Sequence, residues 1–256
     1  MPEAATAPVP GPVKGTRPEG AATEGDASRK VREMFTEIAP RYDLLNHLLS
    51  LQLDRVWRAR TARQLRPILQ PPDAMVLDLC CGTGDLGMAL SKEGPARIIG
   101  ADFAHTMLVR AREKALTVLS FFEADALRLP FADASFDLVT TAFGFRNLAN
   151  YEAGLRETQR VLKANGTLAI LEFMEPPDGL LGNLYRWYFR GVLPKIGALI
   201  SGNSAAYSYL PKSVSRFFQP KELAELMAAV GYDAVEFQTW TMGTVALHTG
   251  TKEAKR

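Results

Sequence analysis

The stretch Val76 to Leu86, VLDLCCGTGDL, constrains this chain more than any other. It begins as a short apolar run of the kind that forms a strand buried inside a sheet, and the run stops at Asp78. Glycines at 82 and 84 follow at once, where the missing side chain lets the backbone turn tightly and come close to a ligand. No lysine follows as in a P-loop. GTGD is also read as differing from the six-residue spacing of dinucleotide G-x-G-x-x-G loops, and the two together disfavour a nicotinamide enzyme and an ATPase.

Around this stretch, strand-like and helix-like segments alternate. Met75 to Leu79 reads as strand, Asp85 to Ser91 as helix, Arg97 to Asp102 as strand and His105 to Ala115 as helix, with short strands at Ser120 to Phe122 and Phe136 to Ala142. The alternation predicts an α/β fold, a parallel sheet with helices on both faces, and a ligand beyond the carboxyl ends of its strands. Asp102 closes the second strand, where a carboxylate can accept both hydroxyls of a ribose or cap the helix starting near His105. Asp125 and Ala126 follow the third. A helix from about Tyr151 then leads through an Asn165-Gly166 turn into a fifth strand. A helix over Lys221 to Val230, ended by Gly231, precedes two strand-like runs, Ala234 to Trp240 and Thr244 to His248, expected to pair as a hairpin.

Charge removes one class of partner. Thirty basic residues against 28 acidic ones leave a formal charge of +2 and no basic run, so nothing argues for nucleic acid. The two cysteines, Cys80 and Cys81, are adjacent. That spacing suits neither a disulfide framework nor a metal site, and the expected setting is reducing and cytoplasmic, with no metal. Residues 1–27 are dominated by small residues, Pro and Glu, which predicts a disordered tail without secretory or transit signal; a second short tail is expected at 252–256. No apolar run approaches the roughly 18 residues of a membrane span.

From Ser28, a plausible N-cap, Val31, Phe35 and Ile38 keep helical spacing until Pro40 interrupts. A second helical stretch, YDLLNHLLSLQLDRVWRARTARQL, sets Tyr42, Asp43 and Asn46 on one face, either as a solvated polar face or as part of a site.

Three words are narrower than the alternation: YDLLN followed by Ser50 and Trp57, AFGFRN at the end of the fourth strand, and RVLK with LEF downstream. With VLDLCCGTGDL they resemble the ubiquinone/menaquinone biosynthesis C-methyltransferase family, and the likeness runs from about Val31 to Thr251. The chain departs from the family pattern at Leu45 for methionine, Asp54 for histidine, Ala142 for serine and Ala164-Asn165 for Pro-Gly. The last is compatible with a turn, since Asn tolerates left-handed geometry.

The resemblance implies a doubly wound, mostly parallel seven-stranded sheet of the Rossmann-like class I methyltransferases, one domain over 28–251. A helical lid over 28–70, a substrate-covering insertion over 174–219 and an antiparallel C-terminal hairpin belong to it. The implied cofactor is S-adenosyl-L-methionine, held by Tyr42, Asp78, Gly82, Thr83, Gly84, Asp102, Phe103, Asp125, Ala126 and Ala142. Asn46, Phe143, Tyr207 and Tyr209 would line the site of a lipophilic quinol, most simply demethylmenaquinol or its ubiquinone-pathway counterpart. Within the insertion, LLGNLYRWYFRGVLPKIGAL reads as an aromatic, amphipathic helical segment, either a membrane-surface face or a roof over the substrate. Transient peripheral contact with the inner face of the cell membrane and a homodimer stay open.

The implied reaction joins a ring carbon to a methyl group on cationic sulfur, and the ring attacks better once a neighbouring hydroxyl has lost its proton. Arg146 and Asn147 are the expected catalytic pair. A guanidinium is a poor base, so Arg146 would stabilise phenolate or orient a water, with Asn147 fixing its geometry; the alternative is a structural ion pair. His47, His105 and His248 are given no catalytic role. Methylation of another phenolic small molecule, or a silent quinone-binding protein of the same fold, are the competing expectations.

Overall fold

The computed structural model describes residues 15–115, 119–176 and 204–254, together with Gly179, Gly182, Arg186 and Gly191. Four helices come first, α1 (Glu24–Ile38), α2 (Tyr42–Leu49), α3 (Leu53–Gln64) and α4 (Arg66–Leu69). The alternating core follows as β1 (Met75–Leu79), α5 (Asp85–Leu90), β2 (Arg97–Asp102), α6 (His105–Ala115), β3 (Ser120–Glu123), β4 (Phe136–Ala142), α7 (Tyr151–Val161) and β5 (Leu162–Phe173). It closes with α8 (Ser204–Ser215), α9 (Pro220–Val230), β6 (Tyr232–Trp240) and β7 (Val245–Lys252).

The seven strands form one sheet in the order β3-β2-β1-β4-β5-β7-β6, parallel except for β7, which runs against both neighbours. The order reverses between β1 and β4, and a crevice opens there beyond the strand ends. Successive side chains of β1 serve opposite faces. Leu77 and Leu79 pack with Phe136, Val139, Leu155 and Ile170, while Val76 packs with Leu86, Leu90, Leu138 and Leu171. Each such wholly buried leucine contributes about 1.5–3 kcal/mol of burial, so the crevice has a stiff floor.

The strand and helix boundaries of the core follow the apolar runs closely; the N-terminal region does not. Residues 15–27 are not a disordered tail. α1 begins at Glu24 with Thr23 as its cap in a Thr23/Asp26 capping box, and Ser28 sits inside the helix. Ahead of it, Thr16 N–H donates to the Leu148 carbonyl at 2.8 Å and Arg17 Nη1 to the Ala149 carbonyl at 2.7 Å. Poor apolar content signalled disorder, but this segment is held through polar bonds to main-chain oxygens, which composition does not register. Residues 1–14 lie outside the described residues.

The second helical stretch is also broken. Leu51 and Gln52 take left-handed φ values of 53° and 65°, which separates α2 from α3; the Ser50 hydroxyl restarts the chain by bonding Asp54. At the C-terminus β7 runs through Lys252, one residue into the expected tail. The aromatic segment LLGNLYRWYFRGVLPKIGAL lies outside the described residues except at Gly182, Arg186 and Gly191. Among the described residues no helix is long and apolar enough to cross a membrane.

Candidate functional site

The loop leaving β1 is anchored by the strand ends beside it. Cys80 and Gly82 take φ values of 53° and 54°, and Gly84 reaches 84° as it opens α5. Gly82 N–H donates to Asp102 Oδ2 and Ala104 N–H to Asp102 Oδ1, both at 2.9 Å. Asp102 therefore caps the turn into α6 and fixes the glycine loop at once. Burial raises its carboxyl pKa, against the pull of those amides.

Asp78 stands in β1 between Gly100 of β2 and Thr140 of β4. It accepts from Gly87 N–H at 2.9 Å and from the Thr140 hydroxyl at 3.2 Å, yet burial pushes its pKa up to about 7. The expected difference from a dinucleotide loop does not hold: Gly82, Gly84 and Gly87 satisfy the G-x-G-x-x-G pattern, so spacing by itself does not separate the two. Gly87 is where α5 packs on β1, since a Cβ there would lie 3.3 Å from Asp78 Oδ2.

Above this floor lies a cavity open to solvent, with about 650 Å³ of empty space when its solvent-filled mouth is included. It is lined by Gly82, Asp102, Phe103, Asp125, Ala126, Ala142, Phe143 and Asn147, and by Tyr42 from the lid. Ser28, Phe35, Leu148 and Ala149 also line it, and the sequence marked none of them as a site residue. Asp78 and Thr83 border a smaller adjoining space of about 300 Å³ that shares Tyr42, Gly82 and Ala142. Gly84 lines neither; its place is the turn itself, packed against Phe121. Asn46 bonds the Tyr42 phenol. The Tyr207 side chain lies outside the described residues.

The lid is fastened from two sides. Phe35, Ile38, Ala39 and Tyr42 pack on Phe103, Ala104 and Met107 at the start of α6. The Thr83 hydroxyl donates to Asp43 at 2.5 Å, and Lys114 of α6 bridges Asp43 at 2.8 Å and Asp85 at 2.5 Å. Burial pushes the Asp43 pKa up, but the bonds from Lys114 and Thr83 hold it below the usual carboxylate range. The departure at 54 has a local partner: Asp54 meets His47 at 2.8 Å, the Ser50 hydroxyl at 2.6 Å and the Arg58 guanidinium. Lys114 thus neutralises Asp43 and Asp85, and Arg58 neutralises Asp54.

The AFGFRN word forms the opposite wall. Gly144 is required there, since a Cβ on it would lie 2.4 Å from Cys80 Cβ. Phe143 takes a φ of 61°, and the chain continues as a single 3-10 turn, Phe145–Asn147. Asn147 faces the cavity; Arg146 sits one layer behind it. Arg146 Nη1 pairs with Glu172 Oε1 at 2.8 Å, its backbone N–H donates to Glu172 Oε2 at 3.1 Å, and Nη1 also reaches the Phe143 carbonyl at 2.5 Å. Nε donates to Ser213 at 3.3 Å. The geometry thus gives Arg146 an ion-pair partner, Glu172, that its place in the sequence did not reveal. Tyr209 OH donates to Asn147 Oδ1 at 3.1 Å.

The model of the ubiE/COQ5 methyltransferase family matches residues 23–252. This chain belongs to that family. It is 50% identical to the demethylmenaquinone methyltransferase of Thermus thermophilus over 86% of this chain and 100% of that protein. With the demethylmenaquinone methyltransferase of Deinococcus radiodurans the identity is 48%, over 89% of this chain and 94% of that protein. Among solved structures it shares its fold with the [4+2]-cyclase SpnF, at a TM-score of 0.66 and 17% identity over 94% of this chain and 100% of that one. It also resembles a Haemonchus contortus phosphoethanolamine N-methyltransferase in complex with S-adenosyl-L-methionine, at a TM-score of 0.57 and 13% identity over 76% of this chain and 52% of that one.

As a ubiE/COQ5 methyltransferase the chain uses S-adenosyl-L-methionine, and its residues suit that molecule. Asp78, Asp102 and Asp125 offer carboxylates to a ligand that carries an ammonium, a sulfonium and a ribose diol, and Phe103 and Ala126 offer apolar surface beside them. The Asp102 carboxylate keeps acceptor capacity beyond the backbone amides it already takes. Where relatives of the ubiE/COQ5 family often carry serine, Ala142 lines both spaces and adds no donor.

Proposed function

We propose that this chain transfers the methyl group of S-adenosyl-L-methionine to a ring carbon of a polyprenylated quinol, demethylmenaquinol first. The observation that carries this reading is that the carboxylate floor and the FGFRN wall meet in one cavity, in a chain 48–50% identical to demethylmenaquinone methyltransferases.

On this reading Asp102 receives the ribose hydroxyls, Asp125 and Ala126 lie along the adenine, and Asp78 faces the ammonium. When bound, the cofactor supplies a methyl group on a positive sulfur, which the acceptor carbon displaces in line. Phe143 and Leu148 give the ring an apolar wall, and Tyr42 closes the cavity from the lid. Asn147 presents an amide to the ring oxygen, where negative charge grows as the hydroxyl gives its proton to water. Once the new C–C bond has formed and the thioether has left, the ring carbon's hydrogen returns to that oxygen, so one proton is released per methyl transferred. Arg146 acts through the Phe143 carbonyl that it shares with the Asn147 amide, as a positioning group and not a base. The prenyl chain of such an acceptor resides in a bilayer, so transient contact with a membrane surface completes the proposal.

The test is transfer of labelled methyl groups onto demethylmenaquinol set against water-soluble phenols. Labelled menaquinol is expected; label on the phenols alone overturns the acceptor, and no cofactor binding in calorimetry overturns the whole reading. Flotation with lipid vesicles checks the membrane contact, which falls if the protein never floats with them.

A further inference from the structure

The segment ahead of α1 reaches the reacting wall. Thr16, 7% exposed, is held to the Leu148 carbonyl by its own N–H. Beside it Gly15 crosses Ala149 so closely that a Cβ would lie 2.0 Å from the Ala149 carbonyl carbon. α8 and the residue that follows it grip the same strap, with Lys212 of α8 pairing with Glu19 at 3.7 Å and Arg216, just past the helix, bonding the Arg17 carbonyl at 3.5 Å. The Thr16 hydroxyl and the Tyr209 hydroxyl of α8 lie 2.8 Å apart.

The direction of each bond follows from the Phe143 carbonyl. Asn147 Nδ2 approaches it at 3.4 Å, and a carbonyl only accepts, so the Asn147 oxygen must point the other way, at Tyr209. Tyr209 then donates its single proton to Asn147, and Thr16 donates to Tyr209. One N–H of Asn147 Nδ2 remains, on a residue that lines the cavity.

We infer that Thr16 and Tyr209 are positioning residues that lock the Asn147 amide with this N–H turned to the acceptor's oxygen. The inference rests on the role of Asn147 proposed above. Burial raises the Tyr209 pKa, which keeps the phenol a donor throughout the working range. The strap is thereby part of the reacting wall.

Methyl transfer to demethylmenaquinol by the full-length chain tests this. Tyr209→Phe should lower kcat about tenfold, the effect of one weakened oxyanion contact of roughly 1.4 kcal/mol, with the KM for S-adenosyl-L-methionine unchanged. The rising limb of the kcat against pH profile should move to higher pH, because the ring oxygen ionises less readily without the locked donor. Thr16→Val should move both in the same direction by less, and Thr16→Ser should restore them. In an Asn147→Ala background, Tyr209→Phe should cost nothing further. A folded Tyr209→Phe variant with wild-type kcat and pH profile overturns the inference, as do additive losses in the double variant. If Asn147→Ala alone leaves kcat intact, the role of Asn147 falls with it, which distinguishes the two failures.

Discussion

Arg146 and Glu172 meet at 2.8 Å behind the cavity wall, with the Glu172 side chain fully shielded from solvent. Both ends of the contact are over-determined: the carboxylate also takes the Arg146 backbone N–H, and the guanidinium also reaches Phe143 and Ser213. The pair fixes the 3-10 turn that carries Asn147 against the last strand of the parallel run.

Removing one member should leave an uncompensated buried charge. Glu172→Gln is expected to lower unfolding stability by about 3 kcal/mol or more, whereas Arg146→Met with Glu172→Met loses less than the sum of the single changes. Urea unfolding of Glu172→Gln, of the two single Met variants and of the double Met variant checks this, and strict additivity would count against a coupled pair.

Asp78 should make cofactor binding depend on pH. Its pKa of about 7 in the free protein must fall when a positive ligand arrives, so binding releases a proton. Affinity for S-adenosyl-L-methionine should therefore weaken as pH falls below about 7 and level off above it. Asp78→Asn should remove the dependence and weaken binding at pH 8 by about ten- to a hundredfold, the worth of a charged hydrogen bond. Calorimetry at pH 6, 7 and 8 decides the matter.

The same acid costs stability at neutral pH. With its pKa raised from 3.8 to about 7 by burial, Asp78 favours the folded state fully only below pH 3.8, and that contribution is lost as pH rises through 7. Asp78→Asn should accordingly raise the melting temperature at pH 8 even as it weakens binding, and a lowered one would contradict the assignment.

His248 acts in the opposite sense. Its Nε2 donates to the Pro220 carbonyl at 2.8 Å, and burial lowers its pKa from 6.5 to about 4. The contribution is complete above pH 6.5 and lost as pH falls to 4, on the order of 3 kcal/mol. His248→Gln should flatten the decline in denaturation midpoint across that interval.

Asp102 ties the glycine loop to α6, so Asp102→Asn should do two things at once. The expected result is cofactor affinity weaker by about tenfold or more and a fall of about 1–3 kcal/mol in stability, since an amide nitrogen now faces the Gly82 or Ala104 donor. A variant that binds poorly but unfolds like the parent would confine Asp102 to the ligand.

The core was legible because its strands are short apolar runs closed by acids and glycines, so Asp78, Asp102 and Ala142 could be set at strand ends from spacing and kind. Asn165 was legible in its backbone, with the left-handed φ of 62° that Asn allows, but it sits in an irregularity inside β5 and not in a turn ahead of the strand. What escaped are contacts between distant segments. Glu172 and Lys114 look like ordinary charges until the fold sets them opposite Arg146 and Asp43. Thr16 escaped because a strap held by main-chain acceptors leaves no hydrophobic pattern, and the break at Leu51–Gln52 because neither residue type announces a positive φ.

The reversal of strand order between β1 and β4 has an engineering consequence. The acids suited to the methyl donor sit on the β1–β3 half, while Phe143 and Asn147 sit on the β4–β5 half. The two halves share a seam but little sequence, so the acceptor side can be redrawn while the donor seat is kept. Libraries confined to the β4–β5 side are the economical route to new acceptors on this chassis.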